Sequence, residues 1–61
     1  NKNLPEYNNA MGILMLMKGD YESSKKYLKF AERSGLDAAR SNLEELVRKK
    51  ANAAKMKKNG K

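Results

Sequence analysis

The residues of this chain that could act as acids, bases, nucleophiles or ligands are few, and their spacing does not suit catalysis. The 61 residues contain no His and no Cys. That removes Ser-His and Cys-His nucleophile pairs, thiol redox chemistry and the usual zinc sites. The adjacent carboxylates Glu44 and Glu45 would point about 100° apart on a helix, which does not bring them to bear on one glycosidic bond. Gly12, Gly19, Gly35 and Gly60 stand far from one another, so no glycine-rich phosphate loop occurs. No metal, no cofactor and no enzymatic reaction are expected.

The other available chemistry is positive charge. The net charge is +7, but its distribution is uneven. Up to Val47 the cations Lys2, Lys18, Lys25, Lys26, Lys29, Arg33 and Arg40 are matched one for one by Glu6, Asp20, Glu22, Glu32, Asp37, Glu44 and Glu45. The whole excess lies beyond, in Arg48, Lys49, Lys50, Lys55, Lys57, Lys58 and Lys61. Such an end could attract nucleic acid, an anionic membrane surface or an acidic partner. A Lys run without Arg forks or aromatics is more often a solubilising chain end. Tyr7, Tyr21, Tyr27 and Phe30 are the only aromatics, and Glu22 and Glu32 dilute the lysines around Tyr27, so a base-stacking platform is poorly supported. Nucleic acid is therefore not the expected partner, and membrane contact would run through the tail alone.

The elements that position these residues read as helices. Ile13 and Val47 are the only β-branched residues, Thr being absent, and no stretch alternates with the period of a strand. The longest apolar run, Ala10 to Met17, is interrupted by Gly12 and falls short of the ~20 residues of a membrane helix. Pro5 and Glu6 suit a helix start, and the first helix is predicted over about residues 6–18. Gly19-Asp20 breaks it, with Asp20 placed to cap a second helix over about 21–34. Gly35 suits a left-handed cap, Leu36 can pack back on the preceding turn, and Asp37 can cap a third helix over about 38–50. Residues 51–61 are predicted as a basic tail that stays helical for a few turns and then frays, above all past Met56. Turns this short force antiparallel neighbours.

Gly12, then Gly19-Asp20-Tyr21 seven residues on, then Ala31 after a further ten, resembles a tetratricopeptide repeat, a helical hairpin of about 34 residues that stacks into solenoids. The resemblance covers about Glu6 to Leu36. It departs from the usual pattern at Asn8 for Trp, Met11 for Leu, Met15 for Tyr, Ser24 for Ala, Leu28 for Phe and Leu36 for Pro. It implies an all-α fold, a repeat hairpin followed by a third helix. A shift of 32 residues lays Leu43 on Met11, Leu46 on Leu14, Val47 on Met15 and the charged Glu44 on Gly12. The third helix then reads as the polar cap that ends such an array, with Glu44–Arg48 and Glu45–Lys49 as favourable i, i+4 pairs.

The first helix is apolar on every side between Met11 and Met17, as a surrounded helix is. Asn8, Met11, Gly12 and Met15 are expected to face the second helix, and Tyr7, Ala10, Leu14 and Met17 to lie where the third can reach. Tyr27 and Phe30 are expected on the flank that meets the third helix. The resemblance then implies a concave groove on Glu6, Asn9, Ile13 and Leu16, bordered by Met17, for a protein or peptide partner. The alternatives are that this side meets adjacent repeats of a longer protein or a second copy in a homodimer. Asn9 stands where a carboxylate-clamping repeat would carry Lys, which disfavours chaperone-tail binding. The first residue is not Met, which reads as a segment of a longer repeat protein. Lys18-Gly19-Asp20-Tyr21-Glu22 with Ala31 also resembles repeats appended to envelope proteins of Gram-negative bacteria, implying a periplasmic or outer-membrane-associated parent.

Overall fold

The computed structural model describes residues 4–59, with side chains for 4–55, and the fold is all-α. Helix α1 spans Pro5–Lys18, α2 Tyr21–Arg33 and α3 Asp37–Asn59. No strand occurs among the described residues, and no helix among them is long and apolar enough to cross a membrane. Leu4 is extended (φ −70°, ψ 136°) and Pro5 opens α1, where its missing N–H removes no helical bond. The Leu4 carbonyl accepts both the Asn8 backbone N–H at 3.1 Å and Asn8 Nδ2 at 3.0 Å, tying the buried Asn8 to the helix start.

Both turns are built in the same way. Past α1, the Gly19 N–H donates to the Leu16 carbonyl and the Asp20 N–H to the Met15 carbonyl. Past α2, the Gly35 N–H donates to Glu32 and the Leu36 N–H to Ala31. Each is a Schellman closure, whose crossing bonds require a left-handed residue just beyond the helix. Gly19 (φ 86°) and Gly35 (φ 101°) supply it without the steric cost of a Cβ. Asp20 then caps α2, its carboxylate accepting the Ser23 N–H at 3.2 Å. Asp37 is the first residue of α3 rather than its cap, and its charge lies near the positive end of that helix.

The hairpin closes on Gly12. A Cβ there would lie 2.5 Å from Leu28 Cγ and Cδ2 and 3.3 Å from the Leu28 nitrogen, so the two backbones approach as far as a hydrogen-only side chain allows. Beside this contact Ser24, fully buried, donates from Oγ to the Gly12 carbonyl at 2.7 Å. Leu16, Leu28 and Leu46, one from each helix, form the core, with Tyr21 and Leu43 packed against it. Ala31 and Ala39 are fully buried. The molecule measures 43 × 17 × 12 Å, one layer of helices, and among the described residues three leucines and two alanines are the buried apolar side chains.

Helix α3 carries on into the basic segment. It runs unbroken to Asn59, because Ala51, Ala53 and Ala54 and the lysines that follow them propagate helix well. The basic segment from residue 51 to 59 thus continues α3 without a turn. Residues 60 and 61, including Lys61, lie outside the described residues. Among the described residues the one ion pair is Arg48 Nη2 to Glu45 Oε1 at 3.2 Å, an i, i+3 pair. The Glu44–Arg48 and Glu45–Lys49 pairs do not form.

Gly12→Ala tests the close approach. Alanine adds about 1 kcal/mol of helix propensity, but the overpacking against a fully buried leucine costs about 1–3 kcal/mol. A lower midpoint in far-UV thermal denaturation is expected, and an equal or higher one would mean that the helices part without loss.

Candidate functional site

The repeat-like residues are placed where their chemistry is needed. Gly12 admits Leu28, Gly19 closes α1, Asp20 caps α2, Tyr21 is half-buried against the core and Ala31 is buried between helices. Their role is to hold the hairpin. The residues that could meet a partner lie elsewhere.

The expected groove divides along α1. Glu6 and Met17 are exposed, Met17 to 78%, and Ile13 is 37% exposed. Leu16, by contrast, is 7% exposed and belongs to the core with Leu28 and Leu46, so it is not available to a partner. Asn9 is half-buried and its Oδ1 accepts from Asn42 Nδ2 at 2.8 Å, a bond from α3. Lys49, Asn52 and Ala53 of α3 share a depression with Leu16, Met17 and Tyr21. Helix α3 therefore lies on the Asn9–Leu16 side of α1, the side expected to be open. The opposite side, where α3 was expected, is bare: Tyr7 is 41% and Leu14 46% exposed, and Ala10 is exposed between them.

The physical cause is that α1 carries apolar residues all round while α2 is strongly one-sided. A helix apolar on every side gives no phase, and the course of α3 is set instead by α2. Leu28 and Ala31 fix the inner side of α2, and Lys25 and Lys29 border the cleft shared with α3. Tyr27 and Phe30 do not meet α3. They line a shallow depression with Asn8, Ser23 and Lys26, and Phe30 is 44% exposed.

The result is one apolar face on α1, made of Ile13, Met17, Ala10, Leu14 and Tyr7 in rotational order within a sector of about 120°. Glu6 falls inside the same sector, at its N-terminal end. The only signal in the sequence that could have found it is the Asn9–Asn42 pair, two amides at matching heights of α1 and α3. Arg48, Lys49, Lys50 and Lys55 are exposed along α3. Lys57 and Lys58 fall on the same helix, their side chains outside the described ones. No group of His, Cys, Asp and Glu that could hold a metal occurs among the described residues. No protein-family model, curated protein or solved structure matches this chain.

Neighbouring residues Leu16 and Met17 separate core from face. Leu16→Ala is expected to destabilise by about 2–5 kcal/mol through the cavity it leaves, and Met17→Ala to stay within about 0.5 kcal/mol. Urea denaturation reads both, and equal losses would contradict the assignment. A double-mutant cycle on Asn9→Ala and Asn42→Ala is expected to give a coupling of about 1 kcal/mol. No coupling would mean that the amide bond does not position α3.

Proposed function

We propose that this chain is a non-enzymatic protein–protein interaction module of tetratricopeptide-like design, docking a helix of a partner or of an adjacent repeat on the outer face of α1. The observation that carries the reading is the bare face of Tyr7, Leu14, Ile13 and Met17 on a helix whose other side holds the buried Asn8, Gly12 and Leu16. Contiguous apolar surface of this kind on a regular helix marks an interaction site. Unbranched Met17 adapts to differently shaped neighbours. The hairpin supports the repeat-like reading through Gly12 at the closest approach and the Gly19-Asp20 turn. Leu16 and Asn9 are left out of the binding surface, since one is core and the other is bonded to α3.

The test is selection of helical peptides from a library against the full chain, followed by NMR titration with the enriched sequences. Enriched peptides are expected to shift the amides of Ile13, Leu14 and Met17. Leu14→Glu with Met17→Glu is expected to weaken them by about tenfold or more while leaving the helical circular-dichroism signal intact. Enriched peptides that move only α3 resonances would overturn the assignment.

A further inference from the structure

A second surface, separate from the α1 face, lies between α2 and α3. It is a cleft of about 570 Å³. Its floor is Leu43, Leu46, Val47, Ala51 and Ala54 of α3, and Val47 is 63% exposed. Lys25 and Lys29 from α2 and Lys50 from α3 complete the lining, and no carboxylate is among the lining residues. The three lysines are exposed and make no ion pair or hydrogen bond among the described residues. Glu22 and Glu32 share α2 with them but do not line the cleft.

We infer that this cleft docks an acidic amphipathic helix of a partner protein. The floor repeats at helical spacing from Leu43 to Ala54, a rise of about 16 Å, which matches roughly three turns of an occupying helix. Leucine and valine fill one end and alanine the other, so the occupant presents its bulkiest apolar residues over Ala51 and Ala54. Glutamate or aspartate along its flank meets Lys25, Lys29 and Lys50, and this charge match fixes orientation and speeds encounter. A second copy of the chain is the wrong occupant, because a twofold contact here sets lysines against lysines. Nucleic acid leaves the apolar floor unused, and the lining has no aromatic or Arg on which a base could stack. This inference does not rest on the α1 face.

Three synthetic helical peptides of about 14 residues test it by NMR titration of the full chain. One carries a Leu stripe at i, i+4 and i+7 with Glu flanks, one has Lys in place of Glu, and one has Ser in place of Leu. The first is expected to shift Val47, Ala51 and Ala54 together with Lys25 and Lys29, and to bind about tenfold or more tighter than the other two. Lys25→Glu with Lys29→Glu is expected to reverse the preference between the Glu and Lys peptides. Val47→Asp is expected to abolish binding of the Glu peptide, with the helical signal of both variants unchanged because these side chains are exposed. If the Ser peptide or a single-stranded oligonucleotide moves the same residues as strongly, the cleft responds to charge alone and the inference falls. If the Glu peptide moves only Ile13, Leu14 and Met17, the cleft is refuted while the α1 face stands.

Discussion

The structure depends on the approach of α1 and α2 at Gly12. Leu28 occupies the space where a side chain at position 12 would begin, and the Ser24 hydroxyl binds the Gly12 carbonyl at 2.7 Å. This contact brings Leu16 and Leu28 together and leaves room for Ala31 between the helices. A chain of this size encloses a smaller fraction of its surface than a larger domain, about 60%, so what it encloses must be packed without gaps. Ser24 fits that need because its one polar group is satisfied by the neighbouring backbone. A buried hydroxyl with a partner costs little, whereas an orphaned one would cost about 1–3 kcal/mol.

The sequence made the hairpin legible and the placement of α3 much less so. Gly19-Asp20 and Gly35-Leu36 announce their turns because left-handed glycine and a following cap are local requirements, visible one residue at a time. The helix limits of α1 and α2 accordingly agree with expectation to within a residue. The side of α1 that receives α3 is a tertiary property. Leu14 and Leu16 are equally apolar, and only the geometry inherited from α2 decides that Leu16 is core and Leu14 is bare. The continuation of α3 past its last large apolar residues was legible, being a matter of local propensity. Alanine and lysine are strong helix formers, so loss of large apolar residues after Val47 ends burial without ending the helix.

Charge and packing follow different segments. Residues 1–47 hold opposite charges in balance, and the exposed cations Arg48, Lys49, Lys50 and Lys55 stand on α3 beyond the core leucine. The α1 face is apolar but for Glu6 at its N-terminal end, while the α2–α3 cleft is apolar with a lysine border. Surfaces so differently bordered select different partners even where their apolar areas are alike, since a like-charged neighbour is rejected by repulsion rather than by lack of fit.

The amide pair between Asn9 and Asn42 spans 33 residues of chain, whereas the contacts of the hairpin join residues that one short turn brings together. Topologies dominated by such local contacts form in microseconds to milliseconds, because little loop entropy is lost before contacts reward it. Helix α3 is held on α1 and α2 chiefly by Leu46, Ala39 and that amide bond. It is thus the cooperative unit of least stability, able to open while the hairpin stays closed. In hydrogen exchange its amides would be the first to lose protection, and each opening would uncover Leu16 and Leu28 to solvent for the lifetime of the detached state.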